Sequence, residues 1–278
     1  MNDKYELTEE TRRIGGVTLH RIKALRDIPR RGVLAGDTGG WVEGEGNLDQ
    51  SGDAWVFGDA RVFGDAWVFG DARVSGDARV SGDARVSCDA WVSGDARVFG
   101  DAQVFGDAWV FGDAQVFGDA RVFGDAQVSG DARVFGDAQV FGDAQVFGDA
   151  QVFGDARVSG DAQVSGDAQV SGDAQVFGDA QVRGDAQVYE REHILVVGPI
   201  GSEHVTATLA RTETGHILSV GCWTDGTVDT LAAEVERRAP HWDGDDAGHV
   251  RWRAEYAALE VLCRARIAGW HVPVSVTA

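Results

Sequence analysis

From Gly52 to Tyr189 small apolar and variable positions alternate on a strict period of six, and every unit reads Gly-Asp-Ala-x-Val-x. Twenty-three units follow one another without an insertion, and Cys88 is the single residue that replaces the leading Gly. In an extended segment Ala and Val, two residues apart, share one face, and the two variable residues share the other. Gly-Asp then turns the chain, because Gly tolerates positive φ and Asp can hydrogen-bond nearby backbone. One unit cannot bury two small apolar groups alone, so the period predicts strands that stack coil upon coil.

Phased on Val, the unit becomes Val-x-Gly-Asp-Ala-x. In that phase it resembles the hexapeptide repeat of left-handed parallel β-helices, in which three units make a triangular coil with an aliphatic and a small residue inward. The resemblance implies an all-β rod with Val and Ala inside. Counting Gly46-Asn47-Leu48-Asp49-Gln50-Ser51 as a degenerate first unit gives twenty-four units, or about eight coils. At roughly 4.8 Å per coil the rod is about 38 Å long.

The flanks lack this period. Residues 1–45 read as an N-terminal cap and a first irregular coil. Tyr5-Glu6-Leu7-Thr8 leads through Ile14-Gly15-Gly16-Val17 to the alternating Thr18-Leu19-His20-Arg21-Ile22, a β-hairpin pattern that would cover the open end of the rod. Gly39-Gly40-Trp41-Val42 already echoes the repeat, with Trp41 expected to plug the end of the core. Residues 46–189 form the rod, and residues 190–278 a small α+β domain. In that domain the strand around Ile194-Leu195-Val196-Val197 precedes a hairpin of Val205–Ala210 and Ile217–Val220 about Glu213-Thr214-Gly215. A helix from Gly226-Thr227-Val228-Asp229 runs to about Arg238, before Pro240. A second helix, about 248–268, carries Trp252, Tyr256, Leu259, Cys263 and Ile267 at helical spacing as a packing face.

Outward residues eighteen apart fall on one column. All thirteen Phe occupy the position after Val. Phe99, Phe117, Phe135 and Phe153 form one ladder, and Phe105, Phe123 and Phe141 a second. A column after Ala runs Trp55, Arg73, Trp91, Trp109 and then Gln127, which puts a guanidinium between two indoles. These rings either stack within the rod and shield its sheet or form a surface for a partner or a second copy.

The net charge is −20, and the repeat carries −14 of it, from 23 Asp against 9 Arg. That sign argues against attraction to nucleic acid or an anionic membrane. The Asp residues form three corner columns, and about twenty neighbouring pairs would repel by on the order of 17 kcal/mol before salt screening. Turn N–H groups donating to the carboxylates are the expected offset, with bridging cations as the alternative. The nine-residue glycine-rich calcium repeat is a different pattern, and no metal motif is matched.

The resemblance also implies where chemistry would sit. Acyltransferases of that superfamily use a histidine on the coil, and carbonic-anhydrase-like members hold zinc with three. Here His20, His193, His204, His216, His241, His249 and His271 all lie outside the repeat. Gly198-Pro199-Ile200-Gly201-Ser202 lacks the lysine and the following helix of a phosphate loop. Cys222, with His216 or His241 as base, is the one nucleophile candidate, set against plain packing of a buried cysteine. Cys88, Cys222 and Cys263 are odd in number and unpaired in spacing, which fits a reducing compartment. With a charged N-terminus and no membrane-length apolar run, the expected location is the cytoplasm.

From Tyr5-Glu6-Leu7-Thr8 through the repeats to Ile194-Leu195-Val196-Val197-Gly198, the chain is similar to Gly-Asp-Ala-x-Val proteins of bacteria and their phages, a group with no assigned activity. The expectation is a non-catalytic scaffold without cofactor, with possible homo-oligomers and a protein partner docking on the C-terminal domain. The alternative is a degenerate transferase of the hexapeptide superfamily. Ice binding is disfavoured because the repeat has no Thr, and mimicry of nucleic acid fits only the sign of the charge.

Overall fold

A computed structural model describes residues 3–270. Each unit contributes a two-residue strand made of the first variable residue and Val, and these strands pair in parallel with partners eighteen residues away, such as Trp91 with Trp109 and Val98 with Val116. Three stacks result, beginning at Arg61–Val62, Trp55–Val56 and Trp67–Val68. The coil-to-coil distance is 4.9 Å, read from equivalent rings. Every repeat Ala and Val from Ala54 to Val188 is fully buried. The rod is therefore a parallel β-solenoid of about eight turns, with a core made of two small residue types.

The corners explain why Gly is retained. At Gly106 φ is +76°, and a Cβ there would lie 2.9 Å from the backbone nitrogen of Gly124 in the next coil. Both the dihedral and the close approach exclude a side chain. Cys88 adopts φ 59° without that freedom.

The N-terminal segment supplies what a further coil would have supplied. β1 (Tyr5–Ile14) and β2 (Val17–Ala24) form the expected hairpin through Gly15-Gly16, β2 pairs antiparallel with β3 (Thr38–Val42), and β3 pairs parallel with Arg61–Val62. Within the rod, N–H groups of one coil donate to Ala and Val carbonyls of the next, as Trp91 does to Ala108 at 2.9 Å. The first coil's Ala carbonyls have no regular coil below them. Ala60 accepts from the Trp41 N–H at 2.9 Å, Ala66 from Asn47 Nδ2 at 2.9 Å, and Ala54 from the fully buried Lys4 Nζ at 3.0 Å. Lys4 also donates to the Ser51 carbonyl, and the Tyr5 hydroxyl donates to that of Leu48 at 2.7 Å.

Two expectations for this end are corrected. Trp41 pairs with Arg61 and Leu48 with Val68, each twenty residues apart, so two extra residues lie between the first irregular coil and the regular ones. Leu48 thus takes the inward place that phase counting gives to Gln50, while the Gln50 amide bonds the backbone of Lys4 and Tyr5. Trp41 is not a core plug. It stands at an outward position, buried beneath the Arg12 and Arg21 guanidinium groups at 4.8 and 5.1 Å.

At the other end Ile194–Ile200, Val205–Arg211, His216–Val220 and Trp223–Gly226 form an antiparallel sheet. Ile194, Ala210 and Ile217 extend the rod's core, and Thr208 Oγ1 accepts the Gln181 N–H at 2.9 Å. Leu209, Leu218, α1 (Val228–Arg238) and α2 (Asp246–Ala268) build a second core with Leu231, Val235, Leu259 and Cys263. Asp245 caps α2 by accepting the Gly248 N–H, which starts that helix two residues before the expected 248.

Val116→Asp, an unpaired charge in this dry core, is expected to cost several kcal/mol, read as a lower urea midpoint. A second outcome concerns Lys4, whose burial lowers its pKa from 10.5 to about 8 against the attraction of Asp49. Between those values the unfolded chain holds a proton that the native chain lacks, so native stability rises with pH, by up to about 3 kcal/mol for the full window. Burial of Cys263, pushed up to about 11, acts in the opposite sense. The test is the difference between parent and Lys4→Met in urea unfolding at pH 7.5 and 10.5: the parent should gain stability relative to the variant as pH rises.

Candidate functional site

The ladders form as the columns predict. Phe99, Phe117, Phe135 and Phe153 stack with 4.9 Å between centroids and planes within 3°, and Phe105, Phe123 and Phe141 do the same. These rings are half-buried, as are Phe111 and Phe147 with Ser on both sides in their column, whereas Phe177 is 55% exposed. The free edges of both ladders face solvent.

The Trp column differs from its sequence reading. Trp55 is not an outward platform: it is buried, edge-on to Tyr5 at 6.4 Å, because the N-terminal segment covers it. The Arg73 guanidinium therefore lies between Trp91 at 5.0 Å and Phe57 at 5.7 Å rather than between two indoles. Trp91 donates its indole N–H to Ser75 Oγ at 3.0 Å and meets Trp109 edge-on at 5.2 Å. Trp109 is 44% exposed and borders an open hollow of about 150 Å³ walled by Trp91, Ser93 and Phe111. Its other side borders a trough with Asp107, Asp125 and Gln127. Sequence reading did not single out Phe57, Ser75, Ser93 and Phe111. The available signal was the gap that two Ser residues make in that Phe column.

The acidic columns also depart from expectation. The N–H groups of Asp53, Asp71, Asp77, Asp95 and Asp107 donate to the corner carbonyl of the next coil, as Asp77 to Gly94 and Asp107 to Gly124, both at 2.9 Å. Among the described residues the one repeat carboxylate that accepts a backbone N–H is Asp71, from Asp53. Side chains from outside the repeat pair with the first coils: Arg30 with Asp71 and Asp89, Arg31 with Asp89, and Arg12 with Asp59. From Asp95 to Asp185 the carboxylates are exposed. No group of three or more metal-ligating side chains occurs among the described residues.

In the C-terminal domain Cys222 is exposed rather than packed, and its Sγ lies 3.2 Å from Arg238 Nη1. His216 does not serve it: its Nε2 accepts the Val228 N–H at 2.9 Å at the start of α1, and burial lowers its pKa. His241 is exposed, and no hydrogen bond joins it to Cys222 among the described residues. His271 lies outside the described residues. A shallow cleft beside Cys222 is lined by Trp223, Trp242, Tyr256 and Leu231, with Arg238 and Glu234 bonded to each other at its rim. The Gly201 N–H donates to Glu255 at 2.7 Å, so that loop already holds a carboxylate where a phosphate loop would be open.

A rod of parallel two-residue strands, eighteen residues per turn, is the observation against which comparison is meaningful. Five stretches match the YdcK beta solenoid repeat. They are residues 72–88, 78–94, 114–128, 126–142 and 150–166, all within the rod. No curated protein matches the chain. The YdcK-type match supports a repeat β-solenoid and carries no activity with it. Among the described residues no helix is long and apolar enough to cross a membrane.

With few local donors for the carboxylates, screening should stabilise the rod. Its melting temperature is expected to rise as sodium chloride goes from 10 mM, where the Debye length is about 30 Å, to 0.5 M. Calcium at matched ionic strength should add nothing; a further rise of many degrees would establish bridging cations.

Proposed function

We propose that the chain is a non-catalytic scaffold of the hexapeptide type: a left-handed rod that presents side chains at fixed spacing, associates with itself through its Phe-rich edges and docks a protein partner through its C-terminal domain. The observation that carries this reading is the unbroken Ala/Val core, covered at both ends and without a loop extruded from any coil between Ala54 and Val188. A rigid body of this kind holds groups in register, and the groups it holds outward are mostly aromatic, acidic or amide. The unit sequence supports the left-handed sense, and the flanking segments support a place among the bacterial and phage Gly-Asp-Ala-x-Val proteins. A cytoplasmic location fits the unpaired cysteines.

Self-association follows from the ladders. Phe117 and Phe135 lie in the middle of four stacked rings, and each ring covered by a second copy would contribute about 1.5–3 kcal/mol, less the cost of association. The Asp columns oppose the approach of two rods, so salt strengthens the association by screening them. Analytical ultracentrifugation of the parent at micromolar concentration in 0.5 M salt should give an oligomer. The variant with Phe117→Ser and Phe135→Ser, which uses the residue the repeat itself places there, should be monomeric. A monomeric parent, or a variant that assembles equally well, overturns the self-association.

A further inference from the structure

The column after Val on the Trp-bearing face runs Phe57, Ser75, Ser93, Phe111. Two Ser residues where rings could stand leave two adjacent gaps. The first gap is filled by the protein itself: the Arg73 guanidinium sits beside Ser75 between Phe57 and Trp91. The second gap, over Ser93, is walled by Trp91, Trp109 and Phe111, and among the described residues no cation lines it. The residue that could have reached in from the far side of Trp109 is Gln127. Among the described residues, neither the Trp109 indole N–H nor the Ser93 hydroxyl has a hydrogen-bond partner.

We propose that the hollow walled by Trp91, Ser93, Trp109 and Phe111 is a binding site for a guanidinium group, presented by an arginine side chain of a partner polypeptide. Arg73 is the internal template, since the rod already accepts this planar cation in the neighbouring aromatic gap. Cation–π attraction favours it over a neutral group. Charge favours it further: Asp107 and Asp125 lie across Trp109 from the hollow, and both are exposed and, among the described residues, without a basic partner. The hollow is open and a lone guanidinium gains little there, so the arginine it holds is one whose flanking chain adds contacts on the rod. The site lies apart from the two Phe ladders and from the C-terminal domain, and it goes beyond the scaffold reading by stating a ligand chemistry.

The test titrates the full-length protein with acetyl-Gly-Arg-Gly-amide at 0.1 M salt and follows the tryptophan indole N–H signals by NMR. An exposed cage of this size binds a single guanidinium in roughly the millimolar range. The Trp109 and Trp91 signals should shift together, while that of Trp67, exposed elsewhere on the rod, should not. The citrulline peptide, isosteric and neutral, should not bind, and the lysine peptide and free arginine should bind at least severalfold more weakly. Ser93→Phe fills the hollow with the residue used in thirteen units, so it should keep the parent melting temperature and bind at least tenfold more weakly. Trp109→Leu should lose binding to the same extent.

Undiminished binding by Ser93→Phe, or equal affinity for the lysine peptide, would reduce the effect to attraction by the Asp columns and overturn the site. Equal affinity for free arginine would overturn the polypeptide source. Failure of any kind here leaves the scaffold reading intact, because that reading is tested on Phe117 and Phe135.

Discussion

The stacking of glycine on glycine at each corner is the constraint on which the rest of the rod depends. Left-handed φ turns the chain within two residues, and the absence of a side chain lets the next coil approach so closely that a Cβ at Gly76 or Gly106 would meet backbone at 2.9 Å. Backbone hydrogen bonds between coils then fix the spacing at 4.9 Å. At that spacing Ala and Val fill the interior, and outward residues eighteen apart become neighbours whether or not they attract. Phe gains from this and Asp does not. Each Asp is held at its corner one coil away from the next, and among the described residues only the Asp71 carboxylate of the repeat accepts a backbone N–H. The repulsion in the acidic columns is thus a consequence of the corner geometry.

A stack of this kind has no natural end, and the two flanks solve the problem differently. At the start, three donors of unrelated origin, the Trp41 N–H, the Asn47 amide and the Lys4 ammonium, each meet one orphan Ala carbonyl of the first coil. A buried ammonium is a costly donor, as its depressed pKa records. It also blocks edge-to-edge growth, because a charged group occupies the place where another coil would pair. At the far end an antiparallel sheet lies across the last coil, contributing Ile194, Ala210 and Ile217 to the same core.

The rod was legible in the sequence because its period leaves each residue one environment: inward for Ala and Val, corner for Gly and Asp. The hairpin was legible from Gly15-Gly16, and α1 from Thr227 ahead of its apolar stripe. What escaped were contacts that cross from one type of segment to another. Phase counting could not reveal that two residues, Gln50 and Ser51, are inserted before Gly52, since Leu48 and Gln50 are both acceptable near a core. Trp55 and Trp41 belong to the outward register, yet segments distant in sequence bury them. Arg73 turned to Phe57 because Trp55 had been drawn beneath Tyr5. Cys222 escaped for the opposite reason: a cysteine between Gly221 and Trp223 reads as core, but the sharp turn there exposes it.

Because the coils are otherwise equivalent, variation along the axis carries the information. The first eight regular units hold three of the four repeat Trp, and five Arg against eight Asp, a net of −3; the remaining fifteen hold four Arg against fifteen Asp, a net of −11. Arg12, Arg30 and Arg31 neutralise the early coils further. The field of the rod is therefore graded, weak at the N-terminal end and strongly negative beyond Asp101. A cationic partner would be steered at long range to the later coils, where the Trp-bearing column continues as Gln127, Gln145, Gln163 and Gln181 and the rings stand in the Phe ladders instead. The indole walls, Trp91 and Trp109, stand on either side of the point where the acidic stretch begins. Attraction and short-range capture are thus displaced from one another along the axis, and the boundary between them coincides with the hollow over Ser93.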